Sequence, residues 1–161
     1  MLKVHKGDSL PSGSWQKTKI AIVRSEFNGF LTRQLEDECI KTLLAAGLKK
    51  TQIVSYAVPG SLEIPFLAAE IAKRKSPDII IALGVIIKGD TYHFELVSNQ
   101  CARGCMDVSL KFNIPVIFGV IAAYNLAQAK KRAGKNANNK GREAAEAALA
   151  MLTTIARIGS S

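Results

Sequence analysis

The chain has 161 residues, of which 48% are hydrophobic and 22% charged. A chain of this length can bury about two thirds of its unfolded surface, so one domain can form without disulfides or metal. Its longest apolar run, residues 79–87, is far shorter than the roughly 20 residues of a transmembrane helix. Residues 1–14 contain lysines but lack the apolar segment of a signal peptide. We therefore expect a cytoplasmic protein that does not span a membrane.

Lysine and arginine total 22 against 13 acidic residues, which gives a formal net charge of +9. This excess favours anionic partners, and phosphorylated metabolites, acidic surfaces and nucleic acid all qualify. Three cysteines, Cys39, Cys101 and Cys105, form no C-x-x-C pair, and neither histidine lies at a metal-finger spacing from them. Buried free thiols and no metal site are expected.

Strands and helices alternate along the chain. Residues 1–18 are polar and rich in turn formers, and they are predicted to form a flexible arm before a single domain over 19–161. Lys19–Ser25 is predicted to be a buried strand, and helical spacing of apolar residues predicts a helix over 30–46. Gly47 is expected to end that helix as its C-cap.

A second strand is predicted over 52–58. Ser61 is expected to cap a helix that reaches about Lys75, with Pro65 tolerated in the first turn. The run 78–87 (DIIIALGVII) is the strongest strand pattern, and its lack of polar alternation indicates that both faces are covered. It therefore belongs inside a parallel sheet.

The C-terminal third completes the alternation with a helix over 93–112, a strand over 115–121 and two further helices. The first of these begins at Asn125, because Asn125 and Gln128 form a capping-box pattern. The second runs over 139–157 and is apolar on nearly every side over 144–155. This favours a homo-oligomer interface, with deep burial inside one subunit as the alternative.

Four strands separated by helices predict an α/β fold, a three-layer α/β/α sandwich around a four-stranded parallel sheet. Ligands of such sheets bind beyond the carboxyl ends of the strands, and the unusual residues collect there. Asn28 and Phe27 follow the first strand, but their spacing alone favours turn formation for Asn28 and core packing for Phe27 over a functional role. His93 follows the third strand and is the one histidine outside the predicted arm, so proton transfer is a candidate role.

Several enzyme classes lack their motifs in this sequence. There is no G-x-G-x-x-G after the first strand, no P-loop and no G-x-S-x-G elbow. The basic stretch 132–142 is either a solvated helix connection or an anion site. The pattern thus indicates a phosphate held by cationic side chains, a planar group beside an aromatic ring, and one histidine that moves protons.

Five segments in this order and spacing resemble lumazine synthase from about Lys19 to Ile155; they are RSEFN, VPGSLEIP, GVIIKGDTYHFE, PVIFGVI and RAG…NKGREAA. The resemblance implies a flavodoxin-like sheet and the condensation of 5-amino-6-(ribitylamino)uracil with 3,4-dihydroxy-2-butanone 4-phosphate, which releases phosphate and water. It implies no cofactor and no metal.

The resemblance also implies pentamers whose active sites lie between neighbouring subunits. In some family members twelve pentamers form a hollow shell of 60 subunits. Both assemblies stay open for this chain, and with the shell so does an enclosed riboflavin synthase as a partner. Small-molecule substrates are expected in either case.

The roles that the resemblance implies fall into three groups. His93 is the proton-transfer residue. Residues that would hold the ribitylaminouracil, with Phe118 supplied by the adjacent subunit, are Phe27, Asn28, Ser61, Leu62, Glu63, Val85, Ile86, Ile87 and Phe118. Residues that would hold the butanone phosphate are Gly89, Asp90, Thr91, Arg132 and Lys140.

Two other classes of function compete with this hypothesis. A non-catalytic shell protein would keep the fold, but Phe27, Glu63, His93 and Arg132 are all present. A nucleic-acid-binding module would use the positive charge, but only 6% of residues are aromatic and no stacking platform or recognition helix accompanies the lysines. We therefore expect neither nucleic acid nor a membrane as a partner.

Overall fold

The computed structural model describes residues 15–159. Within this range there are four strands and five helices, which alternate until two helices follow the last strand. Two short 3-10 turns, Lys50–Gln52 and Ser61–Glu63, lie between them. In chain order the elements are β1 Ile20–Ser25, α1 Gly29–Ala45, β2 Ile53–Val58, α2 Ile64–Lys75, β3 Ile79–Ile87, α3 His93–Phe112, β4 Val116–Ala123, α4 Leu126–Ala133 and α5 Lys140–Gly159. The strands form one parallel sheet in the order β2-β1-β3-β4, which confirms the predicted flavodoxin-like sandwich.

Strand β3 lies inside the sheet, between β1 and β4. Ile81 and Leu83 face the layer built by α1, α4 and α5, whereas Ile80 and Ala82 face the layer of α2 and α3. All four side chains are fully buried. The prediction that helices cover both faces of this strand is therefore confirmed.

The domain includes residues that precede the predicted boundary at residue 19. Trp15 is only 7% exposed, and its indole N–H donates a 3.1 Å hydrogen bond to the carbonyl of Ala46. The amide of Gln52 donates to the carbonyls of Trp15 and Thr18. Residues 15–18 are therefore attached to the domain, and residues 1–14 of the predicted arm lie outside the described residues.

The glycine predicted at the C-terminus of α1 and the cap predicted at the N-terminus of α4 are both confirmed. Gly47 follows the C-cap residue Ala46 with a φ of 99°, and its N–H donates to the carbonyl of Leu44 at 3.0 Å, which is the glycine-terminated helix end that was predicted. The Asn125 side chain accepts the N–H of Gln128 at 2.9 Å. In the reciprocal bond, the side-chain oxygen of Gln128 accepts the N–H of Tyr124, one residue before the cap, at 2.9 Å.

The start of α2 differs from the prediction. Ser61–Glu63 forms a separate 3-10 turn, and α2 begins at Ile64 with Pro65 in its first turn. Among residues 15–159 no side-chain hydrogen bond caps the N-terminus of α2. Ser61 is buried instead, because its hydroxyl lies against Gly84 of β3.

Helix α5 is half covered by its own subunit. Ala144, Ala145 and Ala148 are buried in the core layer that α1 also forms. The deep-burial alternative is therefore correct for this half. Nearer the end of the helix Met151 is 41% and Ile158 is 73% exposed, so that half keeps an uncovered apolar surface. Across residues 15–159 no helix combines the length and apolar character needed to cross a membrane.

Gly141 sets the closest approach of α5 to α1. A Cβ atom at Gly141 would lie 1.9 Å from the carbonyl oxygen of Leu35. This oxygen belongs to the backbone of α1, so it cannot move away as a flexible side chain could. We expect Gly141→Ala to lower the free energy of unfolding by about 3 kcal/mol, measured from urea unfolding curves. The control is Gly159→Ala, because a Cβ there lies within 4 Å of no atom of residues 15–159 apart from its immediate neighbours on the helix. Equal unfolding midpoints for the two variants would contradict this packing.

Candidate active site

Backbone hydrogen bonds join the loops that follow β1 and β2. The N–H of Glu26 donates to the carbonyl of Val58 at 2.7 Å, and that of Phe27 donates to the carbonyl of Pro59 at 3.0 Å. The parallel pairing therefore continues past the ends of both strands. It leaves the ring of Phe27 71% exposed at the carboxyl edge of the sheet.

Asn28 fixes the turn that carries Phe27. Its backbone is left-handed, with φ 57° and ψ 38°, a conformation that Asn adopts more readily than most residues. Its side-chain amide donates a 2.9 Å hydrogen bond to the carbonyl of Val85 in β3. This geometry matches the structural alternative for Asn28, and its contact with substrate stays a prediction.

Gly84 of β3 lies where the 3-10 turn approaches the sheet. A Cβ atom there would lie 2.6 Å from the Ser61 hydroxyl oxygen and 3.2 Å from that of Ser25. Both serines are buried, and the Ser25 hydroxyl has no hydrogen-bond partner within the described part of the chain. Glycine is therefore needed at position 84 for Ser61 to pack against β3.

The carboxyl ends of β1, β2 and β3 surround a cavity of about 360 Å³. Ten of its lining residues were predicted as site residues from the sequence: Phe27, Ser61, Leu62, Glu63, Val85, Ile86, Ile87, Gly89, Thr91 and His93. Gly60, Phe94 and Val97 also line the cavity and were not predicted. Helical spacing could have found Val97, since it lies one turn after His93 on α3. Asn28 and Asp90 are not among the lining residues.

The loop that leads to His93 is tied to the start of α3 and the end of β4. The Lys88 ammonium lies 3.4 Å from a carboxylate oxygen of Glu95 and 5.7 Å from the ring centroid of Tyr124. The Tyr124 ring in turn lies 6.2 Å from that of Phe94, which lines the cavity. These contacts support the wall of the cavity on the side of α3.

A second cavity of about 440 Å³ lies beside the edge strand β4. Its lining residues are Val120, Ile121, Ala122, Ala123, Gln128, Lys131, Arg132 and Lys140. Arg132 and Lys140 thus come together as predicted, but away from the cavity of His93. The two cavities share no lining residue.

The guanidinium of Arg132 is already paired in this second cavity. Its Nη1 and Nη2 donate to the two carboxylate oxygens of Glu143 at 3.0 and 2.7 Å. The Lys140 ammonium lies 3.4 Å from the same carboxylate. The hydrogen bond from Arg132 is the main reason why the pKa of Glu143 is lower than usual, so this carboxylate stays ionised at neutral pH.

Phe118 lines neither cavity. It pairs with Ala82 in the register of the sheet, three residues before Ile121, which is opposite Val85. At about 3.3 Å per residue it lies about 10 Å along the strand from the level of the first cavity. Its ring is 37% exposed on the edge strand. Within one copy, the structure therefore does not bring Phe118, Arg132 or Lys140 to His93.

The cysteines lie in the core. All three are buried and free, as predicted, and burial raises the pKa of Cys39 to about 12. A hydrogen bond with Cys101 raises the pKa of Cys105. Thiols protonated in this way are poor nucleophiles and poor metal ligands. Among the described residues no group of three His, Cys, Asp or Glu could hold a metal ion.

The fold and the first cavity define a class of protein. A parallel α/β sandwich with a cavity beyond the carboxyl ends of its strands is typical of flavodoxin-like proteins that bind small ligands. A family model described as 6,7-dimethyl-8-ribityllumazine synthase matches residues 17–156. The chain belongs to this family, whose members are transferases of riboflavin biosynthesis. The resemblance identified from the sequence is therefore confirmed.

The role of Asn28 can be tested with two substitutions. Both Asn28→Gly and Asn28→Ala remove the hydrogen bond to Val85, which typically contributes about 1 kcal/mol. Only the alanine variant also has a Cβ in the left-handed region, at a further cost of about 1 kcal/mol. We expect the free energy of unfolding to fall by about 1 kcal/mol for Asn28→Gly and about 2 kcal/mol for Asn28→Ala. Equal losses in thermal or urea unfolding would contradict the importance of the backbone conformation.

Proposed function

We propose that this protein condenses 5-amino-6-(ribitylamino)uracil with 3,4-dihydroxy-2-butanone 4-phosphate in the cytoplasm. The product is 6,7-dimethyl-8-ribityllumazine, and phosphate and water are released. No cofactor takes part. The observation that carries the proposal is the cavity of about 360 Å³, in which Phe27, Glu63 and His93 meet in a chain of this family.

The first cavity suits the pyrimidine substrate. The exposed ring of Phe27 offers a face on which a planar heterocycle stacks, and Leu62 and Val85 add apolar surface. The Glu63 carboxylate and the turn that begins at Ser61 supply hydrogen-bonding groups for a ribityl chain and the ring. Ile86 and Ile87 add apolar surface to the wall.

The second cavity suits the phosphate of the other substrate. Arg132 donates from a planar guanidinium, and Lys140 adds a second positive charge. Gly89 and Thr91 line the first cavity, and with Asp90 between them they would meet the four-carbon chain. The phosphate group and the heterocycle must then be held by groups from different cavities.

Two copies of the chain would therefore complete one site. We propose that one subunit supplies the cavity of His93 and its neighbour supplies Phe118, Arg132 and Lys140. The uncovered apolar end of α5, which includes Met151 and Ile158, supports an interface between copies. Light scattering would distinguish five subunits from a shell of 60.

The proposed reaction proceeds by proton transfers that His93 is placed to perform. The amine attacks the ketone and water leaves, and elimination then releases phosphate and leaves an enol that tautomerises to a second ketone. Attack by the second nitrogen on this ketone, with loss of a second water, closes the ring. An imidazole titrates near neutral pH and can both accept and donate these protons, which typically contributes 10²-fold to 10⁴-fold in rate. Holding two reactants in register can contribute roughly 7 to 11 kcal/mol, so positioning is expected to dominate.

Substitution of His93 and Arg132 tests these roles. We expect His93→Ala to lower kcat by about 10² while measurable turnover remains, because positioning survives. Arg132→Ala should lower kcat/KM more than His93→Ala does, mainly by raising KM for the butanone phosphate. The measurement is steady-state formation of the lumazine chromophore with each substrate varied in turn.

Arg142→Ala is the matched control, because Arg142 is exposed and pairs with Glu146 outside both cavities. Its kinetics should equal those of wild type. Wild-type kinetics for Arg132→Ala would overturn the phosphate assignment, and a wild-type protein that forms no lumazine would overturn the proposed function.

A further inference from the structure

We propose that Glu143 is a positioning residue that holds Arg132 so that one particular edge of its guanidinium receives the phosphate. This inference rests on the proposed function and adds a residue that does not touch the substrate. It rests on the hydrogen bonds of the Arg132 guanidinium, which leave some of its N–H groups available to a ligand.

A guanidinium carries five N–H groups in a fixed planar fork. The Glu143 carboxylate accepts one N–H from Nη1 at 3.0 Å and one from Nη2 at 2.7 Å. It therefore contacts the guanidinium end on. The carbonyl of Asn138 accepts from Nη1 at 2.8 Å and uses the remaining hydrogen of that nitrogen. Three N–H groups are thus occupied.

The two remaining N–H groups lie on Nε and Nη2. They point in parallel from the side edge of the guanidinium, which is one of the two edges that bind a carboxylate or phosphate with paired hydrogen bonds. No hydrogen bond from Nε to another residue of 15–159 occupies this edge. The contacts of Arg132 therefore leave one bidentate donor pair for an anion in the cavity.

Hydrogen bonds of Asn139 fix the backbone segment that carries Glu143. Asn139 is fully buried, and its side-chain oxygen accepts the N–H groups of Gly141 and Arg142 at 2.8 and 3.1 Å. Its amide donates to the carbonyls of Ala133 and Gly134 at 2.7 and 2.9 Å. Asn139 thus connects the end of α4 to the first turn of α5, where Glu143 lies.

Charge makes the role of Glu143 testable, because two effects oppose each other. As an anion near the cavity, Glu143 repels a phosphate; as the partner of Arg132, it orients the donor that binds the phosphate. Lys131 also lines the cavity, so three cations face one carboxylate and the cavity stays positive. We expect orientation to outweigh repulsion.

Steady-state kinetics of Glu143→Gln separate the two effects. If Glu143 orients Arg132, KM for the butanone phosphate should rise about tenfold, which is 1.4 kcal/mol. kcat and KM for the ribitylaminouracil should change less than about twofold, because no group in the first cavity is altered. A lower or unchanged KM for the butanone phosphate would overturn the inference.

Glu146→Gln is the matched control, since Glu146 forms an i,i+4 pair with Arg142 on the same helix and lines neither cavity. Its kinetic constants should be those of wild type. Glu143→Asp is a second variant that keeps the charge but shortens the side chain. It should show the same rise in KM as Glu143→Gln, whereas a wild-type KM would contradict the positioning role.

The effect must act through Arg132. In the Arg132→Ala background we expect Glu143→Gln to raise KM for the butanone phosphate no further, because there is no guanidinium left to orient. An equal further rise would show that Glu143 acts on its own and would overturn the inference. Failure of the proposed function is distinguishable, since then wild type itself would form no lumazine.

Discussion

The order of the strands, β2-β1-β3-β4, separates the groups that the proposed reaction needs. The carboxyl ends of β1, β2 and β3 converge on one cavity, which contains Phe27, Glu63 and His93. The edge strand β4 and the helices after it build another cavity around Arg132. Under the proposed function a single copy has two incomplete sites, and association of copies is then part of the chemistry.

Rigid contacts position the first cavity before any substrate arrives. Strand β3 is buried on both faces, so its carboxyl end is fixed relative to both helix layers. Gly84 lets the turn of Ser61 approach that strand, and Asn28 bonds to the carbonyl of Val85. Groups held in this way need little reordering on binding, and preorganisation of this kind is how an enzyme gains rate from placement.

The sequence predicts those features that depend on local pattern. The bounds of α3 agree with the prediction, and Gly47 and Asn125 act as caps, because spacing and capping chemistry are local signals. Burial of Trp15 was not predicted, since it depends on a partner carbonyl 31 residues away. Long-range partners of this kind leave no periodic pattern.

The same difference between local signals and long-range contacts applies to the site. The residues that line the first cavity were predicted mainly from the resemblance, and parallel topology explains why the ends of three strands bring them together. The pairing of Arg132 with Glu143 was not, because eleven residues and a change of helix separate the two side chains. Whether Phe118 belongs to an active site also depends on a second copy, which no pattern within one chain reveals.

Mixed assemblies test the shared site most directly. One variant would carry Phe27→Ala with His93→Ala, and the other Arg132→Ala with Lys140→Ala, so that each is impaired in a different cavity. When the two chains are co-expressed in equal amounts and copurified through different tags, about a quarter of the interfaces should pair two intact cavities. The account predicts about a quarter of wild-type lumazine formation, far above either variant alone. A mixed assembly no more active than the mean of its parents would contradict a site shared between copies.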